Sequence, residues 1–182
     1  MKSDIYGIVP PMVTPFADGD TVDVEAAATD AVYLVEKAGV HGLAVCGSTG
    51  EGHAITTDET REIVSTVTDA VQGRVPVIAG IIANSTKASI ERGKAVADLG
   101  VAALQVTPVH YLFRPDDGAM VEHFRRLTEE TGLPVMIYNV VPWAYLSPAL
   151  LERIIDEVEG VIGVKQSAGD MKLLADLLVR AS

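Results

Sequence analysis

A single cysteine, Cys46, stands in the whole sequence, so no intramolecular disulfide can form. Beside Val45 it reads as a small core hydrophobe rather than a nucleophile. Nowhere do about 18 or more apolar residues run without interruption, and no basic N-terminal stretch leads into an apolar one. Neither a membrane span nor a signal peptide is expected, and the sequence reads as a cytoplasmic protein. Basic residues number 14 against 25 acidic ones, for a net charge of −11, and they are scattered rather than gathered on one face. That distribution argues against nucleic acid as a partner and promotes solubility. No Walker A sequence and no GxGxxG follows any apolar run, so a nucleotide phosphate has no expected cradle. His41, His53, His110 and His123 show no metal-ligand spacing with one another or with Cys46, so no metal is expected.

What the sequence does have is a large hydrophobic fraction, 48 % of 182 residues, enough to bury a core. One pattern recurs six times: a short apolar, β-branched run, turn residues, then a longer segment of helical periodicity. The runs begin near Gly7, Gly42, Val75, Val101, Leu133 and Gly160. Thr56 with Glu59 forms a capping box, Ser147 followed by Pro148 an N-cap and N1 pair, and Asp170 caps a last helix whose Leu173, Leu174, Leu177 and Leu178 share one face. The runs are nearly continuous in apolar residues, which predicts strands buried on both faces in a parallel sheet covered by helices. A βα unit of about 30 residues suits a (β/α)8 TIM-type barrel, of which only about six units are present; an open doubly wound sheet is the competing architecture. Residues 1–182 are expected to form a single, incomplete β/α-barrel domain.

In βα-repeat proteins the reactive groups sit at the C-terminal ends of strands. The sixth run, Val161-Ile162-Gly163-Val164-Lys165, ends in a lysine preceded only by apolar residues and glycine. Removing water from an amine disfavours its charged form, and a neutral amine is what attack on a ketone requires. The competing reading is a lysine that snorkels to the barrel mouth or pairs with Asp170. The fifth run ends Met136-Ile137-Tyr138-Asn139, and a tyrosine one strand from the lysine suits proton transfer, although a lone Tyr138 is also a common core aromatic. The second run delivers Gly47-Ser48-Thr49-Gly50-Glu51, whose hydroxyls and backbone N–H groups can hold a carboxylate, or simply form a glycine-rich turn that Glu51 ties down. The fourth run leads into Thr107-Pro108-Val109-His110-Tyr111-Leu112-Phe113, aromatic enough in a chain with 5 % aromatics to be a pocket wall or a subunit contact.

Taken together, GSTGE, YN and GVKQSAGD, with PPMVTPF and VPVIAG at compatible spacing, resemble the dihydrodipicolinate synthase and N-acetylneuraminate lyase family over essentially the whole chain. The resemblance implies a barrel lyase in which Lys165 forms a Schiff base with pyruvate or the pyruvyl end of a 2-keto acid. Aldol cleavage, condensation or dehydration would then need no metal or cofactor. It also implies Tyr138 as proton shuttle, Ser48 as relay hydroxyl, and Thr49 with loop N–H groups, Gly47 and Gly50 included, as carboxylate site. A relay tyrosine reaching a neighbouring subunit belongs two residues after Pro108, where this chain has His110 followed by Tyr111, and either can serve. The expected partners are a small 2-keto acid and further copies of the chain, as a dimer or tetramer. Dihydrodipicolinate synthases resemble one another in an arginine shortly after YN; here Val140-Val141-Pro142-Trp143 follows, which argues against aspartate semialdehyde and points to Trp143 against a more apolar acceptor. The family pattern also carries two further βα units and a helical C-terminal segment. The sequence ends at Ser182, so a fragment, or an open edge covered by another copy, is expected. An inactive truncated barrel serving as an oligomeric binding or assembly protein is the alternative function.

Overall fold

The structure, a computed structural model, describes residues 5–180. Helix α1 (Val24–Glu36) precedes strand β1 (Leu43–Val45), and then α2 (Thr57–Val71), β2 (Val77–Ile81), α3 (Thr86–Ala95), β3 (Ala103–Val106), α4 (Asp117–Thr131) and β4 (Val135–Asn139) alternate. A 3-10 turn (Pro142–Ala144), α5 (Pro148–Glu157), β5 (Val161–Gln166) and α6 (Met171–Arg180) complete the order. Helix starts follow local chemistry. The Thr56 hydroxyl accepts from the Glu59 N–H at 3.2 Å while the Glu59 carboxylate accepts from the Thr56 N–H at 2.7 Å, closing the capping box. Ser147 caps α5 ahead of Pro148, and the Asp170 carboxylate accepts from the Lys172 N–H at 2.8 Å. No described helix is long and apolar enough to cross a membrane.

The sheet is parallel throughout, in the order β1-β2-β3-β4-β5. Each helix packs on the next, from α1 on α2 to α5 on α6. Strand order equal to chain order, with consecutive helices touching, is the winding of a barrel arc; an open doubly wound sheet reverses direction at its first strand and divides its helices between two faces. Alternation along the strands sorts the side chains. Leu43, Val45, Val77, Ala79, Ile81, Leu104, Val106, Val135 and Ile137 join the large core shared with the helices, whereas Ala44, Ile78, Ala103 and Met136 form a separate cluster on the inner face.

Three expectations need correction. The first apolar run does not become a ladder strand: it lies parallel beside β1, yet only Pro11 and Ala44 form a bridge. Ala44 N–H donates to the Pro10 carbonyl and Met12 N–H to the Ala44 carbonyl, but Pro10 has no N–H to extend the ladder. Nor is every strand buried on both faces, because β5 lies at the sheet edge and is half-buried from Gly163 to Gln166. Finally, Leu178 is exposed on α6 while Leu177 is buried.

Behind the sheet, His123 of α4 is 2 % exposed, with Nδ1 3.0 Å from the Thr86 hydroxyl and no hydrogen-bond partner for Nε2 among the described residues. Burial pushes its pKa down from 6.5 to about 4, opposed by the Thr107 backbone. The unfolded chain therefore takes up this proton first, so the stability contributed by neutral His123 is present above pH 6.5 and is lost as pH falls toward 4. We expect denaturant titrations at pH 7 and pH 5 to differ by about 2 kcal/mol on this account, and His123→Leu to remove that difference. An unchanged pH dependence in the variant would place the proton uptake elsewhere.

Candidate active site at the mouth of the barrel

The orientation of Lys165 depends on an irregularity in β5. Val135 pairs with Val161, but Met136 pairs with Gly163, so Ile162 is an extra residue opposite no partner. Tyr138 consequently lies beside Lys165. Without the bulge the register would continue one residue out of step, Lys165 would fall beside Asn139, and its side chain would leave the inner face. With it, Lys165 and Tyr138 share the inner face above Gly163 and Met136. The Lys165 Nζ sits 4.2 Å from the centroid of the Tyr138 ring, a cation–π distance. Tyr138 is buried and Lys165 half-buried. No ion pair joins Lys165 to Asp170 among the described residues, and the Asp170 carboxylate is occupied by the α6 backbone.

Across the mouth, the turn after β1 folds under close steric control. Cys46 takes a positive φ of 55°. This directs its carbonyl into a slot between Gly80 of β2 and Gly52, where a Cβ on either glycine would overlap the Cys46 carbonyl. The Gly52 N–H donates to the Gly47 carbonyl at 3.0 Å, and the Thr14 hydroxyl donates to the Gly50 carbonyl at 2.6 Å. Arg92 of α3 grips the far side, donating to the carbonyls of Gly52 (2.7 Å), Ile55 (3.0 Å) and Ile82 (3.2 Å). The result presents Ser48 and Thr49 outward while burying Gly47 and Gly50. Backbone N–H groups of Ser48, Thr49 and Gly50 have no acceptor among the described residues, so the turn offers free donors to an anion. Cys46 itself is buried, which raises its thiol pKa to about 12, against a lowering influence of Arg92, and keeps it protonated.

A third group of residues builds a neighbouring cleft of about 510 Å³ lined by His53, Ile82, Asn84, His110, Tyr111, Leu112 and Trp143. Trp143 Nε1 donates to the His110 carbonyl at 2.7 Å, joining the loop after β4 to the loop after β3. His110 Nδ1 lies 2.9 Å from the Pro108 carbonyl, and Tyr111, Leu112 and Phe113 are exposed. Thus the structure brings Lys165 to Tyr138 and His110 to Trp143. It forms no hydrogen bond among Tyr138, Ser48 and Thr49, or from any of these to His110 or Tyr111, within the described residues. No three His, Cys, Asp or Glu side chains among those residues gather into a metal-holding group.

A model of the dihydrodipicolinate synthetase family matches residues 4–182. The chain belongs to that family. It is 38 % identical over 177 residues to 4-hydroxy-tetrahydrodipicolinate synthase 1 of Halalkalibacterium halodurans, covering 96 % of this chain and 59 % of that protein. Among solved structures it resembles YagE, a prophage protein of the dihydrodipicolinic acid synthase family from E. coli K12 in complex with pyruvate, with TM-score 0.89 and 27 % identity over 96 % of this chain and 58 % of that one. It also resembles the N-acetylneuraminate lyase of Mycoplasma synoviae, with TM-score 0.84 and 25 % identity over 94 % and 58 %. The chain thus spans about three fifths of the length of the family members it matches.

Within this family fold, two structural residues escaped sequence reasoning. Arg92 sits in a helix with no motif around it, so nothing in the sequence marks it as the clamp of a distant turn. Asn139, noted only as half of YN, is fully buried and closes the loop that carries Trp143. Its Oδ1 accepts from the Leu146 N–H at 2.9 Å, and its Nδ2 donates to the Leu146 carbonyl and to Gln166 Oε1, both at 3.1 Å. Glu51, expected to tie the turn, makes no side-chain hydrogen bond among the described residues; Arg92 does that work. We expect Asn139→Leu to lower unfolding free energy by about 3 kcal/mol, because two buried backbone groups of Leu146 lose their partners. Denaturant titration checks it, and a loss under about 1 kcal/mol would show that water replaces the amide.

Proposed function

We propose that the chain carries the pyruvate-handling half-site of a class I lyase, with Lys165 forming a Schiff base to pyruvate or to the pyruvyl end of a 2-keto acid. The observation that carries this reading is the inward Lys165 amine, 4.2 Å from the Tyr138 ring on the adjacent strand. Family membership supports it, as does the likeness to YagE, a family protein solved with pyruvate. In the proposed reaction the neutral amine adds to the ketone carbon, water leaves, and a protonated imine forms. Loss of a proton or of an aldehyde from the adjacent carbon gives the enamine, with the electron pair drawn into the imine nitrogen. No separate electron sink is then required. Tyr138 would carry the proton to and from the ketone oxygen, with Ser48 as its relay. Thr49 and the free N–H groups of the turn would take the carboxylate.

His110 and Tyr111 are proposed to complete the relay in the assembled protein, because neither bonds to Tyr138 within one chain. The exposed Tyr111, Leu112 and Phe113 form an apolar surface of the kind that a second copy covers. Trp143, in the cleft beside the site, gives the acceptor aldehyde or sugar-derived acid an apolar wall.

Borohydride reduction in the presence of pyruvate tests the reading. A stable adduct is expected on Lys165, located by peptide mass spectrometry and absent in Lys165→Ala. Tyr138→Phe should slow adduct formation by about 100-fold while leaving the fold intact. A Lys165→Ala protein that still trapped pyruvate would end the proposal. A folded oligomer that trapped none would instead fit a binding or assembly role.

A further inference from the structure

Gln105 is a buried polar residue of the sheet. It lies on β3, paired with Gly80 on one side and Met136 on the other, on the same inner face as Tyr138 and Lys165. It is 3 % exposed, and its Nε2 is buried without a hydrogen-bond partner among the described residues. Two residues on, and on the same face, the Thr107 hydroxyl is likewise buried and unpartnered. Leaving one buried donor unpaired costs about 1 to 3 kcal/mol, and a fully buried amide in an otherwise apolar strand is retained only where something rewards it.

The layer around Gln105 shows what that is. Gly80, with no side chain, lets the Cys46–Gly47 backbone pack directly over β2 beside Gln105. The Gln105 Nε2 accordingly reaches to 3.5 Å from the position a Cβ on Gly47 would occupy. It therefore lies against Gly47, at the start of the turn whose Ser48, Thr49 and Gly50 N–H groups have no acceptor among the described residues. The Gln105 Nε2 and the backbone N–H groups of the turn are donors, so one acceptor can serve them together, and a carboxylate supplies two oxygens with lone pairs for several donors at once.

We propose that Gln105 is a specificity-determining residue of the site: its amide N–H closes on the carboxylate of the bound 2-keto acid from beneath the Gly47–Gly50 turn. The assignment rests on the Lys165 imine reading and adds to it a reason for selecting acids over simple ketones. A Gln at this place holds the anion by a neutral donor, so it strengthens recognition without adding a charge that would perturb the neighbouring amine.

Pyruvate and hydroxyacetone, ketones with and without a carboxylate, separate the possibilities in the full chain by borohydride trapping at graded concentration. In Gln105→Leu the half-saturating pyruvate concentration should rise about tenfold, whereas trapping of hydroxyacetone stays unchanged. The ligand-free melting temperature should not fall, because the substitution removes an unpaired buried amide. Equal half-saturation for pyruvate in the two proteins would overturn the role of Gln105 while leaving the imine reading intact, and would make an ordered water its partner. Parallel losses with both ketones, or a lowered melting temperature, would make it a packing residue. A wild-type chain that traps neither ketone removes the imine reading and this assignment with it.

Discussion

A single extra residue in β5 decides which way Lys165 faces. Side chains on a strand alternate between faces, so the unpaired Ile162 reverses every residue that follows it. Val161 joins the helix-side core ahead of the bulge, and Gly163 and Lys165 turn to the inner face after it. The same step places Lys165 against Tyr138 rather than Asn139. Asn139 is then left on the opposite face, where its amide holds Leu146 and Gln166. One irregularity thus separates the inner-facing pair proposed for chemistry from a structural pair on neighbouring strands.

A second constraint works on the opposite side of the mouth. The Cys46 carbonyl occupies space that any residue larger than glycine at 52 or 80 would claim, and the positive φ at Cys46 is the backbone conformation that puts it there. Arg92 and Thr14 then hold the turn by bonding its carbonyls, while the N–H groups of Ser48, Thr49 and Gly50 have no acceptor among the described residues. Neither device uses the residues that would touch a substrate. The site is built by carbonyl capture from behind, so the donors in front remain available.

Much of this was legible in the sequence, and the parts that were not share a cause. Apolar runs ending in Lys165 and Tyr138, the glycine-rich turn after β1 and the caps at Thr56, Ser147 and Asp170 are local signals, written within a few residues of where they act. Strand order was not local: periodicity fitted a barrel and an open sheet equally, and only pairing in chain order separated them. The first run looked like a strand by composition, and its failure turned on one missing N–H at Pro10. The bulge was invisible because register is a relation between strands, and Arg92 acts about 40 residues from the turn it clamps. Gln105 reads as an anomaly only when its inner-face position and its burial are known together.

The overall charge makes the choice of donors at the mouth physically coherent. A protein of net charge −11 repels an anionic acid at long range, and at physiological ionic strength that repulsion is screened beyond roughly 8 Å. On the proposed reading, recognition of such an acid must therefore come from groups in contact. Around the turn after β1 those groups are hydroxyls, backbone N–H groups and a buried amide; the one guanidinium bound to the turn, Arg92, bonds only backbone carbonyls among the described residues. An arginine in front would bind a carboxylate more tightly but would also raise the local positive potential beside Lys165 and Tyr138. Neutral donors backed by the half-buried Arg92 leave no second cation in front of the turn, and the separate cleft at Trp143 is lined in part by Ile82, Tyr111 and Leu112.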